Sequence, residues 1–150
     1  MKLEKAVLDD LPDILKLQYL AYQSEAELNN NYDIPPLKQT LEEVVREYHK
    51  GTVLKAADEE KGIIGSVRAY AENGTLFINK LIVHPDFQGK GLGTRLLREI
   101  ETLCPQPRYE LFTGAKSERN LYLYQKSGYV RFKSETIAPG LTLVYLEKKP

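Results

Sequence analysis

Leu81-Ile82-Val83-His84-Pro85-Asp86-Phe87-Gln88-Gly89-Lys90-Gly91-Leu92-Gly93-Thr94 is the stretch on which the reading of this chain turns. An apolar, β-branched run gives way at Pro85 to spaced glycines and then to residues at helical spacing, the pattern of strand, turn and helix. Glycines at such a turn let backbone N–H groups converge on an anion at the positive end of the helix. A phosphate site is therefore predicted, and spacing narrows which phosphate. A dinucleotide fingerprint reads G-x-G-x-x-G, whereas Gly89, Gly91 and Gly93 make G-x-G-x-G. A nucleoside-triphosphate loop closes on Gly-Lys-Ser/Thr, whereas Lys90 here precedes Gly91. Neither fits.

Outward from this stretch the period of the apolar residues assigns the other elements. Towards the N-terminus, Thr75 to Val83 is a strand, joined to a strand from Ile63 to Ala71 by Asn73-Gly74, the strongest short hairpin signal. Thr52 to Ala57 is the strand before these. Thr40 and Glu43 make a capping box opening a helix that runs to about Lys50 and stops at Gly51. Leu11, Ile14, Leu17, Ala21 and Leu28 recur at helical spacing and predict one earlier helix of about 20 residues. It is capped by Asp9 or Asp10, with Pro12 in its first turn, and broken by residues 29–36. Leu3 to Val7 begins the order as a strand. Towards the C-terminus, Leu92, Leu96, Ile100 and Leu103 share a helix face ended by Pro105 and Pro107. Tyr109 to Thr113 is a strand, Ser117 to Lys126 a short helix, and Tyr129 to Thr136 and Leu141 to Leu146 are the closing strands. The result is one mixed α/β domain over residues 1–150, in the order β-α-α-β-β-β-α-β-α-β-β.

Composition removes whole classes of function. The chain has 150 residues with 21 Lys+Arg against 21 Asp+Glu, which lacks the basic excess of a general nucleic-acid or membrane-surface binder. Cys104 alone cannot form an internal disulfide. The N-terminus has acidic residues where a signal peptide needs an apolar run, and no segment approaches the ~20 apolar residues of a membrane span. A cytoplasmic protein is expected. His49, His84 and Cys104 offer no recurring ligand spacing, so no metal is expected. The balanced total also conceals a polarity: residues 9–47 carry 9 acidic and 3 basic side chains, and residues 79–133 carry 10 basic and 5 acidic.

Gln88, Gly91 and Gly93 meet the pattern Gln/Arg-x-x-Gly-x-Gly/Ala, following a Leu-x-Val-x-Pro strand end at Leu81, Val83 and Pro85. Downstream, Leu123-Tyr124-Gln125-Lys126-Ser127-Gly128-Tyr129 matches Leu-Tyr-x-Lys-x-Gly-Phe/Tyr. In these two motifs and in element order the chain resembles the GNAT acetyltransferase superfamily over essentially its whole length. The resemblance implies a GNAT-like fold and an acetyl-CoA-dependent N-acetyltransferase. It also implies that the loop Gln88, Gly89, Lys90, Gly91, Leu92, Gly93 and Thr94 holds the pyrophosphate of acetyl-CoA. By the same resemblance, the strand from Asn79 to Val83 splays from Tyr109–Thr113, and Leu81, Ile82 and Val83 present backbone to the pantetheine arm. Tyr124 holds the position of the acid that protonates the leaving thiolate. Lys126 is a phosphate contact or a helix-end cation.

Two positions depart from the family pattern. Asn79 stands where many members carry a glutamate base, and asparagine takes no proton at neutral pH. A water chain, or a carboxylate such as Glu25 or Asp33, is left to accept the amine proton. Ser117 stands where an asparagine often contacts CoA, and Asn120, one helical turn before Tyr124, is the candidate for that contact. Tyr22, Glu25 and Tyr32, with Arg68 and Tyr70 sharing one strand face by alternation, are the candidate acceptor-site residues. The acceptor is an amine of a small molecule or peptide, attacked directly in a ternary complex because no cysteine is placed to carry an acyl group. A non-catalytic acyl-CoA-binding module is the alternative that Asn79 keeps open. A homodimer stays open as an assembly.

Overall fold

One mixed sheet of seven strands organises the chain, in the order β1-β2-β3-β4-β5-β7-β6. The computed structural model describes residues 1–150, with strands β1 (Lys2–Lys5), β2 (Thr52–Asp58), β3 (Gly62–Glu72), β4 (Thr75–Val83), β5 (Arg108–Gly114), β6 (Val130–Ala138) and β7 (Leu141–Lys148). The helices are α1 (Leu11–Ala21), α2 (Gln23–Leu28), α3 (Pro35–Lys38), α4 (Leu41–Lys50), α5 (Leu92–Leu103) and α6 (Glu118–Lys126). All neighbouring pairs are antiparallel except β4 and β5. Strand alternation sorts the core into two layers. Leu54 on β2 joins Leu96, Leu97 and Ile100 of α5, and its neighbour Val53 joins Leu11, Ile14 and Val44 of α1 and α4 on the other face.

Local chemistry behaves as expected at several ends. Asn73 and Gly74 both have positive φ, 51° and 79°, as a type I′ hairpin turn requires. The Thr40 hydroxyl accepts the Glu43 N–H at 3.2 Å, and the Glu43 carboxylate accepts the Thr40 N–H at 2.9 Å. The expected side-chain cap of α1 is not made: Asp10 precedes α1 without a capping bond, and its carboxylate instead accepts the Val7 N–H at 2.8 Å, closing a 3-10 turn over Leu8–Asp10. β4 has the expected boundaries, and those of the other strands differ from the expected ones by at most two residues. No helix is long and apolar enough to cross a membrane.

Three further expectations are corrected. The single long helix is two, α1 and α2, divided at Tyr22 with φ −85° and ψ −1°. Without glycine or proline at the division, the sequence carried no local signal for it, and Leu28 falls on the exposed side of α2. Residues 29–36 are not wholly irregular, since Pro35 starts α3, where its fixed φ suits the first turn. Gly51 ends α4 without left-handed geometry, at φ −148°. A Cβ there would lie 2.0 Å from the Ala69 carbonyl oxygen, so close approach of β3 requires the glycine.

Candidate active site

The site begins where two strands part. β4 and β5 pair only from Thr75/Arg108 to Phe77/Glu110, although both strands continue. The opening follows from a bulge in β4. Arg68 faces Asn79 and Ser66 faces Ile82, leaving Lys80 and Leu81 together opposite Val67. Lys80 has φ +50°, a left-handed conformation that a side chain-bearing residue adopts at a cost of about 1–3 kcal/mol. A bulge bends its strand, and from here Ile78 to Val83 has an edge unpaired with β5. The expected splay is present, and its source is one extra residue.

β4 then feeds the glycine turn. Gly89 and Gly91 have φ +76° and +83°, and Gly91 is the residue just before α5, so its neighbours' N–H groups lie at the positive end of that helix. Gly93 serves a different need: a Cβ there would meet Leu123 Cδ1 at 2.9 Å, so its absence lets α5 pack on α6. The Gln88 side chain braces the turn, donating to the Val83 carbonyl at 3.1 Å and accepting from Arg119 on α6. His84 Nδ1 accepts the Asp86 N–H at 3.0 Å and shapes the strand exit.

A cavity of about 510 Å³ connects these parts. Its walls include the strand end Leu81, Ile82 and Val83, the turn residues Gln88, Gly89 and Gly91, and Leu92, Gly93 and Thr94 of α5. Asn120, Tyr124 and Lys126 line it from α6, and Tyr22 and Glu25 from the division between α1 and α2. Tyr124 is only 6% exposed, and its hydroxyl has no hydrogen-bond partner within the protein. Burial, with Tyr22 and Glu25 adding to it, pushes its pKa above the ordinary tyrosine value. It is thus a neutral acid at physiological pH. Glu25 Oε1 accepts the Ser117 hydroxyl at 2.7 Å and the Asn120 amide at 3.4 Å. Asn120 also donates to Thr113 Oγ1 at 3.3 Å, so its side chain is turned to Glu25 and β5. The break at Tyr22 is what brings Glu25 to α6.

Four expected residues do not line the cavity. Arg68 is 3% exposed, held by Glu47 Oε1 at 2.8 Å and by Gln18 Oε1 and Gln39 Oε1 at 2.9 Å each. α1 and α4 cover its strand face, so alternation placed it on the face shared with Tyr70 and coverage keeps it out of the cavity. Tyr70, on the same face, stacks on Phe77 at 5.2 Å beneath Lys50. Tyr32 is 58% exposed, outside the cavity because α3 turns the chain back after it. Lys90 is exposed and leans over Phe87. Asp33, the other carboxylate considered, is paired with Lys38 at 3.3 Å, also outside the cavity. In the opposite sense, Lys80 lines the cavity without having been anticipated, since its direction depends on a bulge that only sheet register reveals.

Comparison with known proteins agrees with this geometry. Residues 22–150 match the family model described as acetyltransferase (GNAT) domain. UPF0157 protein YqkA of Bacillus subtilis (strain 168) is 28% identical over 133 residues, which is 87% of this chain and 38% of that protein. The uncharacterized N-acetyltransferase ycf52 of Porphyra purpurea is 26% identical over 81 residues, 53% of this chain and 47% of that one. The chain thus covers less than half the length of these curated relatives. Among solved structures, the PaiA N-acetyltransferase from Thermoplasma acidophilum, in complex with coenzyme A, superposes with a TM-score of 0.79 at 17% identity over 100% of both chains. The ribosomal-protein-S18-alanine N-acetyltransferase from Escherichia coli superposes with a TM-score of 0.79 at 13% identity, covering 99% of this chain and 92% of that one. With a strand parted by a bulge, a glycine turn at a helix N-terminus and a family match over residues 22–150, the chain belongs to the GNAT acetyltransferase family.

Proposed function

We propose that this chain is an N-acetyltransferase using acetyl-CoA, and that it acts on an amine by direct attack within a ternary complex. One observation carries the reading: Tyr124, whose hydroxyl is unbonded within the protein, lines the same cavity as the unpaired edge of β4 and the glycine turn. The coenzyme A complex of the PaiA neighbour supports acetyl-CoA as the donor. So do the open strand edge, which suits an extended amide-bearing arm, and the helix N-terminus, which suits a pyrophosphate.

Bound acetyl-CoA supplies an acetyl group activated as a thioester. The protein's part is to bind, orient and move protons. Backbone N–H groups from Leu81 to Val83 stand along the open edge to receive the arm and to hydrogen-bond the thioester oxygen. Glu25 accepts the proton that the attacking amine gives up as its nitrogen bonds to the acetyl carbon. Ser117 and Asn120 orient that carboxylate by their bonds to Oε1. Tyr124 donates its proton to sulfur as the carbon–sulfur bond breaks, and burial keeps that proton in place until then.

Amine-dependent release of free thiol from acetyl-CoA, with the N-acetyl product identified by mass, tests the reading. Glu25→Gln is expected to lower kcat/KM roughly 100-fold with acetyl-CoA affinity retained. Tight acetyl-CoA binding without amine-dependent thiol release across a broad amine panel would instead favour a non-catalytic acyl-CoA-binding module.

A further inference from the structure

We propose that the acceptor is a zwitterion of the amino-acid type, with its amine held at Glu25 and its carboxylate held at Lys80. The amine half rests on the acetyl-transfer reading above, while the carboxylate half rests on Lys80 alone.

Two observations carry it. First, Lys80 lines the cavity, and its ammonium has a single acceptor, the Asn79 amide oxygen at 3.3 Å. That oxygen is already bonded to the Lys80 backbone N–H at 2.8 Å. An ammonium offers three donors, and a half-buried charge that makes no ion pair is left short of partners. Glu47 is no counter-ion for it, because Glu47 is engaged by Arg68 at 2.8 Å and by Gln39 at 3.1 Å. Behind Lys80, Arg68 adds a fully buried cation with one nitrogen, NH1, unpartnered. Burial lowers the Lys80 pKa, and Arg68 adds to it, against the opposing pull of Glu47 and Glu43.

Second, the cavity's negative charge lies elsewhere. Glu25 is bonded to Ser117 and Asn120 and makes no ion pair with Lys80. The side chains that act on Lys80 are Glu47, Arg68 and Glu43, whereas Glu25 acts on Tyr22 and Tyr124. One cavity therefore offers a carboxylate and an ammonium on separate walls, with Ile34, Pro35, Leu141 and Leu143 among the apolar surface that also lines it. A molecule bearing an amine, an apolar body and a carboxylate complements all three. The pyrophosphate of a donor is not the anion concerned, because Lys80 neighbours α4, and α4 packs on the sheet face opposite α5 and its glycine turn. A single point charge also suits a monoanion.

The test uses the full chain saturated with coenzyme A, titrated calorimetrically with apolar α- and ω-amino acids, each beside its carboxamide and its decarboxylated amine. We expect at least one acid to bind roughly 10- to 100-fold more tightly than its carboxamide, the range for one charge-assisted contact. Lys80→Met should bring that ratio close to one while leaving coenzyme A affinity unchanged. Binding of no acid better than its carboxamide overturns the proposal, as does a ratio that survives in Lys80→Met. The wild-type ratio decides the matter without the variant should Lys80→Met fail to fold. Thiol release is scored in parallel on the same compounds. Preference for acids without thiol release refutes acetyl transfer and upholds the Lys80 site, and thiol release with neutral amines alone does the reverse.

Discussion

Removing one oxygen atom, in Tyr124→Phe, separates the chemistry of the site from its architecture. The Tyr124 ring belongs to the core and packs on Tyr129 with centroids 6.2 Å apart, and phenylalanine keeps that packing. The hydroxyl has no partner in the protein, so its loss orphans no buried group, and stability should change by no more than about 0.5 kcal/mol. Loss of a general acid lowers turnover by roughly 10²–10⁴-fold, equivalent to about 3–5 kcal/mol of barrier. Tyr129→Phe is the control, because its hydroxyl donates to Glu101 Oε2 at 2.6 Å. That variant should lose about 1–3 kcal/mol of stability and keep its turnover. Thiol release at saturating acetyl-CoA, denaturant unfolding and calorimetric acetyl-CoA titration together make the assay. The raised pKa of Tyr124 also has a sign: its acidic form persists above the ordinary tyrosine value of about 10. Wild-type kcat should therefore not fall on the alkaline side through loss of this proton below about pH 10. Turnover within roughly threefold of wild type in Tyr124→Phe, under one kcal/mol of barrier, would refute the acid assignment.

Gly91→Val should abolish measurable acetyl-CoA binding by calorimetry, because φ +83° is closed to a β-branched residue; retained affinity refutes the turn as the phosphate site. Arg68→Met should destabilise the fold by about 2–3 kcal/mol in denaturant unfolding. That is below the usual cost of breaking a buried pair, because Glu47 keeps 32% of its side chain exposed. A change below about 0.5 kcal/mol would show that the Gln18–Arg68–Gln39–Glu47 network contributes little. Asp10→Asn tests a pH dependence. Burial opposes ionisation of Asp10, but the Lys55 ammonium at 2.8 Å and the Val7 N–H outweigh it and hold the pKa below the usual carboxylate value. A depressed folded pKa means stability that is present above about pH 4 and lost as pH falls through the folded value. The variant should be about 1 kcal/mol less stable than wild type at pH 7, and the gap should close near pH 2. A gap that persists unchanged there contradicts the ion-pair account.

The two halves of the site differed in how far they could be read from sequence, and distance along the chain explains why. The donor half lies within residues 81–94 and depends on backbone conformation. Gly89 and Gly91 adopt positive φ, a demand that is written in the residue itself, as it is for Asn73-Gly74 at the hairpin. The capping box of Thr40 and Glu43 is equally local. The proposed acceptor half is assembled from far-separated residues: Glu25 meets Ser117 across 92 positions and Asn120 across 95. Alternation correctly put Arg68 and Tyr70 on one face, but only the packing of α1 and α4 determines that this face is covered. Lys80 is the extreme case. Nothing in Asn79-Lys80-Leu81 marks a bulge, and a strand without one would keep its pairing in step and send alternate side chains to alternate faces. The left-handed φ of Lys80 is tolerated because β3 registers on both sides of it, Arg68 against Asn79 and Ser66 against Ile82. The same extra residue therefore stands where β4 parts from β5, the edge proposed for the donor, and lines the cavity proposed for the acceptor. Removing the bulge by deleting Lys80 should accordingly damage both halves together, whereas Lys80→Met should spare the donor half.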